Sequence, residues 1–506
     1  MGSSHGKNLY VCKPLYLWQL SSLERAQNLG NAQAAISMEA VRKILDVEKL
    51  KYCFECGICT ASCSMAELLG KDYNPRVLLE KIVQNPEEVL ASEAIWLCAW
   101  CYSCYRRCPQ GLRVPEILLE FRKVAGEQGG EQSMERAFQK ITDNIPLPLV
   151  TTLVCFHPER AGLDAGKILE TIESRRKLQL KKAGKRKTTK DSDGKIAIVG
   201  SGPAGLTVAF EMVRRGYDAR VFEILPEAGG MLRKCIPESR LPARILDKEI
   251  GFLKDYGVDV QTGVTVGKDL SFDDLWKEGY KAVFVGTGAH KSQKPRIEGL
   301  ELEGAIHALD FLWETKCGEK AKAGKTVVVI GGGNVAVDAA RTAAERGAKN
   351  VTVLYRRSRE EMPANPWEVK EAEDNGVKIE FLVSPKKVLG ENGKVCGIEC
   401  LRVQLGEPDE TGRRRPIPIE GSEFVLQTDM VIFAVGETPE LGFLPKQIAM
   451  NDDGTIWVNP VTMQTSMLKV FAGGDVVSGP ASVIEAICAG KRAATAIESY
   501  LKSSGE

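Results

Sequence analysis

The sequence predicts an α/β chain: a helical N-terminal module bearing two cysteine runs, followed by a pair of Rossmann-type nucleotide-binding domains. Three observations predict it. After Lys195, short β-branched runs (KIAIVG, DARVFE, AVFVGTG, TVVVIGGG, NVTVLYR, MVIFAVG, KVFAGGD) alternate with helical stretches, the signature of parallel sheets covered by helices. Glycine accounts for 49 of 506 residues, above the usual share of about 7%, and the glycine-rich motifs all lie after Lys195. Eight of the 15 cysteines lie between Cys53 and Cys108.

The composition sets outer limits. A 43% hydrophobic and 27% charged chain is soluble and globular, and its length suggests roughly two to four domains. With 68 basic and 67 acidic residues, the chain is not built to be drawn onto nucleic acid or an acidic membrane. The odd cysteine count argues against a closed disulfide framework. The first twenty residues lack the basic region and apolar stretch of a signal peptide. No window approaches the ~18 uninterrupted apolar residues of a membrane helix. These features lead to the expectation of a reducing, cytoplasmic setting without a transmembrane segment.

In the N-terminal module, residues 1–174, Asn74-Pro75 opens the periodic stretch RVLLEKIV, with proline early in a helix. A second helix fits VPEILLEFRKVAGEQGG, whose glycines suit a C-cap. The first cysteine run is Cys53-x2-Cys56-x2-Cys59-x3-Cys63. The second, Cys98-x2-Cys101-x2-Cys104-x3-Cys108, repeats the spacing and ends in Pro109. Zinc sites would need only paired CxxC units, often with a histidine, and neither run contains one. The doubled spacing is that of a two-cluster ferredoxin, in which three cysteines of a run hold one cluster and the fourth crosses to the other. On that logic Cys53, Cys56, Cys59 and Cys108 hold one [4Fe–4S] cluster, and Cys98, Cys101, Cys104 and Cys63 hold the other, all within 51–112. Crossed ligation would make the two cubanes one compact electron relay. Ser64 stands where the first run would often carry proline.

The stretch 175–194 has nine Lys or Arg in Arg175–Lys190 and almost no apolar content. It reads as a solvated linker, with a docking strip for an acidic partner as the alternative. Beyond it, KIAIVGSGPAGL places Gly200, Gly202 and Gly205 in GxGxxG between a strand and a helix, with Pro203 and Ala204 opening that helix. Glycines there permit a tight turn, backbone approach to a pyrophosphate and close helix packing. Glu223 ends the second strand, placed for a ribose hydroxyl. A second unit, TVVVIGGGNVAVDAA, carries Gly331, Gly333 and Ala336 as GxGxxA, with Asn334 and Val335 inside the motif. Its second strand ends in Tyr355-Arg356-Arg357 without an acid. Guanidinium groups would pair with the 2′-phosphate of NADP, which a carboxylate would repel; plain surface charge is the alternative. This points to NADPH over NADH.

WLCAWCYSCYRRCPQGLRVPEILLEFRKVA, within roughly Lys51–Gly130, resembles the small C-type iron–sulfur subunit of heterodisulfide reductases. In that family the clusters link a flavoprotein subunit to a partner with the terminal catalytic site. From Lys195 to about Tyr500 the motifs, with EAGGML, CIPESRLP and YRRSREEMPA, are similar to the NADPH-binding small subunit of glutamate synthase. They are equally similar to the large subunit of ferredoxin-dependent transhydrogenases. The resemblance implies a thioredoxin-reductase-like domain pair: an FAD domain (195–323 and 429–506) split around an inserted NADPH domain (324–428). It assigns Gly200, Gly202, Ala204, Glu223, Gly230, Arg240, Gly474 and Asp475 to FAD, and Gly333, Asn334, Val335, Arg356 and Arg357 to NADP(H). The N-terminal module is not the less regular cysteine arrangement of glutamate synthase small subunits.

No CxxC lies in the NADPH domain, where a thioredoxin reductase keeps its dithiol. Cys396 and Cys400 read as buried thiols in a strand. Cys12, Cys155, Cys235, Cys317 and Cys488 are scattered and read as small hydrophobes. His290 and His307 are expected to pack or to touch a cofactor. No protein residue is assigned to chemistry, because hydride transfer belongs to the cofactors. The expected function is an NADPH:acceptor oxidoreductase subunit moving electrons in either direction between NADPH, FAD, two [4Fe–4S] clusters and a partner. That partner would be ferredoxin or a heterodisulfide-reductase-like catalytic subunit, in a multisubunit assembly that could bifurcate electrons. A glutamate synthase donor subunit and a non-catalytic relay scaffold are the alternatives.

Overall fold

A computed structural model describes residue 53 and residues 55–127, 130–183, 194–318, 323–409 and 412–503. Cys12 and His5 lie outside them. The chain falls into two compact units: the residues up to Gly184 together with Ser482–Cys488, and Lys185–Ala481 together with Ala489–Glu506.

The first unit is helical throughout its described residues. Pro75–Gln84 begins as its sequence dictates. The Asn74 side chain accepts from the N–H groups of Arg76 and Val77, at 3.1 and 3.2 Å, and Pro75 needs no partner for the donor it lacks. Val114–Glu127 buries Val114, Leu118, Phe121 and Ala125 on one face, the three-and-four spacing of an amphipathic helix. After it, the Gly130 N–H closes on the Ala125 carbonyl at 2.8 Å. Met65, Ile82, Ile95, Leu97, Leu118, Phe121 and Phe156 are among the largest fully enclosed side chains.

The described part of the basic stretch is not a linker. Arg175–Ala183 continues the helix Ala165–Ala183. Ile168, Ile172 and Arg176 are buried at four-residue intervals, and Arg176 donates to the Pro146 carbonyl. A buried stripe outweighs the local charge density. The remaining basic residues, 184–193, lie outside the described residues.

The second unit contains two parallel five-stranded sheets. One runs Val470–Ala472, Tyr280–Val285, Lys195–Val199, Asp218–Glu223, Asp259–Thr262. The other runs Ala305–His307, Met430–Phe433, Thr326–Ile330, Asn350–Tyr355, Lys378–Phe381. The second sheet therefore takes in strands on both sides of 324–428. Strands β-branched along their length, such as TVVVI with Val327, Val328, Val329 and Ile330 all buried, fit a sheet covered on both faces. A third, antiparallel sheet follows, built from Val383–Glu391, Lys394–Pro408, Arg414–Pro418 and Phe424–Gln427. Its inner face packs Val388, Val395, Ile398 and Cys400 against Val328, Ile330 and Val431. Among the described residues, no helix is long and apolar enough to cross a membrane.

Candidate functional site

The two cysteine runs share one backbone course. Glu55 and Trp100, each two residues after the first cysteine of its run, are left-handed, with φ of 51° and 50°. Gly57 and Tyr102, each following the second cysteine, are left-handed at 77° and 57° and precede the short helices Ile58–Ala61 and Ser103–Arg107. Each run closes alike, Cys63 N–H on the Thr60 carbonyl and Cys108 N–H on the Tyr105 carbonyl, both at 3.1 Å. Three non-glycine residues in a region costing about 1–2 kcal/mol each require tertiary support. Trp100 and Tyr102 have it, at 4% and 1% exposed, with rings 6.1 Å apart edge to face.

The fold brings the sulfurs into two groups. The Cys53 thiol is raised by burial and feels Cys108 and Cys56, while Cys59, also raised by burial, feels Cys53 and Cys56. The Cys63 thiol is pushed up to about 12, burial being the largest cause and Cys98 and Cys101 its thiol neighbours. Burial raises Cys104 well above the usual range beside Cys98, Cys101 and Cys63. Cys63 thus sits with the second run and Cys108 with the first. None of the eight is in a disulfide. No described side chains converge as tightly as a single metal ion demands. Neighbouring thiols in two sets suit multi-iron cubanes, whose ligands bind as thiolates. The groups differ in exposure: Cys56 is open to solvent, whereas Cys98 and Cys104 are buried.

Three neighbours of the second group carry no spacing signal. Tyr73, 3% exposed, has its hydroxyl among Cys98, Cys63 and Cys104. The Ser103 hydroxyl donates to Glu485 at 2.8 Å, and Glu485 lies close enough to Cys101 to raise it. Arg122, 2% exposed, donates to the Cys98 carbonyl at 2.6 Å. Helical periodicity offered the one available clue to it, an arginine on the buried face of Val114–Glu127.

In the second unit both glycine turns follow strands at the centre of a sheet. At the first, Gly200 has φ 100°, and a Cβ would stand 2.6 Å from the Gly286 carbonyl oxygen; one on Gly205 would stand 2.0 Å from the Gly200 oxygen. Gly202 has nothing nearer than 4.0 Å, which leaves its face open to a phosphate at the start of helix Pro203–Arg214. Gly230, with φ 53°, backs onto the Gly202 Cα, and Ala204 is buried. Glu223 is 4% exposed and accepts from Ser201 N–H and Oγ at 2.9 and 2.5 Å and from Leu225 N–H at 2.9 Å. Burial lowers the affinity of His290 for protons, with Lys234 adding to the effect and Glu223 opposing it. Gly474 and Asp475 follow the edge strand Val470–Ala472, and Asp475 accepts from Ala481 N–H at 3.2 Å.

At the second turn Gly331 (φ 150°) would push a Cβ to 2.2 Å from the Ala434 oxygen, while Gly333 faces open space. The Asn334 side chain accepts from Asn365 N–H at 2.9 Å, and Val335 packs against the sheet core. The two arginines part company. Arg356 is exposed, its guanidinium disfavoured by desolvation and by Arg357 and Arg413. Arg357 is buried, bonded to the Arg414 carbonyl and to Asp409, both at 2.8 Å. Successive residues at a strand end point to opposite sides, so of the two arginines Arg356 is the one open to solvent. Arg240 is held by both oxygens of Asp338 at 2.8 Å, with Glu368 at 3.7 Å. That ties it to the helix Asn334–Glu345 after the second turn, whereas the resemblance assigned it to FAD. The Cys400 thiol, fully buried, is pushed up to about 12 by that burial.

The family model for pyridine nucleotide-disulphide oxidoreductases matches residues 194–490, and that for the 4Fe-4S dicluster domain matches 49–112. The chain is similar to the NADP(+)-dependent formate dehydrogenase subunit beta of Moorella thermoacetica: 39% identity across 79% of this chain and 60% of that one. The NADPH-Fe(3+) oxidoreductase subunit beta of Geobacter sulfurreducens is 38% identical over 79% of this chain and 63% of its own length. The chain thus spans about three-fifths of these relatives. The glutamate synthase [NADPH] small chain of Escherichia coli is 38% identical over 62% of this chain and 70% of that one. Among solved structures, FprA from Mycobacterium tuberculosis superposes with a TM-score of 0.54 at 21% identity, covering 62% of this chain and 85% of that one, a likeness of fold.

Proposed function

Because the chain belongs to the pyridine nucleotide-disulphide oxidoreductase family and carries a 4Fe-4S dicluster domain, we propose that it is the NADPH-oxidising electron-transfer subunit of a larger redox assembly. It is an NADPH-dependent oxidoreductase subunit whose cofactors are FAD, NADP(H) and two [4Fe–4S] clusters. When bound, these groups supply hydride acceptance from NADPH and conversion of that two-electron event into single-electron steps. The observation that carries the reading is the presence in one chain of two open glycine turns and eight free cysteines in two runs, with Cys108 beside Cys53 and Cys63 beside Cys98 and Cys101.

In this reading the open faces of Gly202 and Gly333 receive the two pyrophosphates on helix N-termini. Glu223, whose two carboxylate oxygens already accept from Ser201 and Leu225, orients the first nucleotide's ribose. Arg356 pairs with the 2′-phosphate, and Arg357 fixes the strand end that presents it. Cys53, Cys56, Cys59 and Cys108 hold one cluster, and Cys63, Cys98, Cys101 and Cys104 the other. In this reading a partner takes or supplies the electrons that the clusters carry. The relatives named as subunits of formate dehydrogenase and of an Fe(3+) oxidoreductase support that arrangement.

Anaerobic addition of NADPH to the purified full chain should bleach the flavin absorbance and then allow reduction of a viologen dye, with NADH far slower. A chain that contains FAD and iron but shows no NADPH-dependent bleaching sinks the reading. Glutamine-dependent activity on mixing with a glutamate synthase large subunit would favour the second reading, supported by the 38% identity to the small chain.

A further inference from the structure

The cysteine unit encloses an arginine whose charge nothing acidic answers. Arg122 projects from the buried face of Val114–Glu127 and is 2% exposed. Nε donates to the Ile95 carbonyl at 2.8 Å, Nη1 to the Phe156 carbonyl at 3.1 Å and Nη2 to the Cys98 carbonyl at 2.6 Å. Its guanidinium lies 5.9 Å from the Trp96 ring. All three acceptors are neutral, and among the described residues no carboxylate pairs with it. Burial accordingly works against its charge, and Cys98 and Tyr73 lie beside it.

A buried cation without a counter-ion is costly, several kcal/mol even after relaxation. Neutral carbonyls offset part of that cost, but a full negative charge nearby offsets far more. Four cysteinate ligands make an iron–sulfur cluster net negative. We propose that Arg122 is the built-in counter-charge of the buried cluster held by Cys63, Cys98, Cys101 and Cys104, raising that cluster's reduction potential above what burial alone would impose.

Burial penalises the more negative, reduced cluster and so lowers its potential. A fixed positive charge beside the Cys98 peptide favours the reduced form and raises it. Arg122 bonds the carbonyl of a ligand residue, so its charge stands close to one cluster. Among the described residues no comparably buried cation adjoins Cys53, Cys56, Cys59 and Cys108; Arg76, near Glu55 at 3.9 Å, is 35% exposed. Two further charges flank the buried set. Arg106 donates to the Cys101 carbonyl at 2.9 Å but is exposed to solvent screening. Glu485, held by Ser103 at 2.8 Å and Ser482 at 2.7 Å, opposes Arg122 in sign.

The inference rests on the two-cluster reading above, which iron content and the amplitude of the reduced-cluster signals test separately from the potentials. The measurement is a redox titration of the full holoprotein followed by electron paramagnetic resonance. R122Q should move one of the two reduction steps to lower potential by at least a tenfold change in its one-electron equilibrium, about 59 mV, and leave the other in place. R122K, which keeps the charge, should stay near the wild type, and E485Q should move the same step upward. Unmoved steps in R122Q, equal movement of both, or an R122K shift as large as that of R122Q would each overturn the proposal. If R122Q does not retain the wild-type iron content, R122K decides: iron and midpoint kept support a charge role, and iron lost there too makes Arg122 a packing element and overturns it.

Discussion

The two glycine turns of the second unit are built on one plan and finished for opposite charges. Each follows a central parallel strand, turns through a glycine that no side chain could replace, and opens a twelve-residue helix. The third position already diverges. Gly205 has a carbonyl oxygen 2.0 Å from where its Cβ would be, while Ala336 carries a methyl in the corresponding place and is fully buried. At the end of the next strand the first turn's motif sets a buried, donor-filled Glu223, and the second turn's an exposed Arg356 beside like charge. In the proposed reading the backbone offers a phosphate site twice, and one side chain at the strand end decides which nucleotide is tolerated.

The largest break in this comparison should come where the helix after the second turn carries charge that its counterpart lacks. Asp338 occupies the position of Thr207 and is held by Arg240, with Glu368 alongside. R240A removes the bidentate partner of the buried Asp338, while Glu368 keeps Arg341 at 3.4 Å, and should cost about 3–5 kcal/mol, read as a fall in the temperature of thermal unfolding. Burial already raises the Asp338 pKa despite the pull of Arg240, and R240A raises it further. A folded-state pKa above the unfolded one gives stability that is present below the unfolded value and lost as pH rises through the folded one. The deficit of R240A should therefore shrink as pH falls from neutrality through the folded-state pKa and be smallest near and below about pH 4; a pH-independent deficit would remove the buried-acid explanation.

The strand-end difference is tested next. R356A should weaken NADPH by about 1.5–3 kcal/mol, the worth of hydrogen bonds to a charged group, seen as a tenfold or greater rise in KM with NADH unchanged. R357A should lower thermal stability, through loss of its Asp409 and Arg414 contacts, with a smaller effect on the NADPH preference. Equal losses for both nucleotides in R356A would mean that Arg356 does not read the phosphate. The third-position difference is smaller. G205A should destabilise by about 1–3 kcal/mol through overpacking and release flavin on dilution, whereas A336G should cost only about 0.5–1 kcal/mol and leave NADPH oxidation near wild type.

Much of this was legible in the sequence because the signals are local. Strands Lys195–Val199 and Thr326–Ile330 declare themselves by β-branching, and Pro75–Gln84 by its Asn-Pro start. What escaped depends on contacts between distant residues. The antiparallel sheet at 383–427 lacks strict alternation, and its register is set by packing on Val328 and Val431. Ala305–His307 is three residues long and acquires its place only by pairing with Met430–Phe433. Charge density in Arg175–Ala183 masked the stripe of Ile168, Ile172 and Arg176. Arg356 and Arg357 looked equivalent until the second was found tied to Asp409.

The left-handed turns of the cysteine runs bear on how the chain can drift. At Gly57 the conformation is met by having no side chain, and no atom lies within 4 Å of where a Cβ would go. At Tyr102 the same conformation is met by an aromatic ring 1% exposed. The two positions answer one steric demand in different currencies, so their tolerance is reversed. Substituting Gly57 costs only backbone strain of about 1–2 kcal/mol. Replacing Tyr102 by glycine relieves that strain but removes a core aromatic, a loss of about 3–5 kcal/mol. A glycine signature is thus enough to find the first run's turn in a distant homologue. In the second run the turn survives only where its aromatic neighbours survive with it.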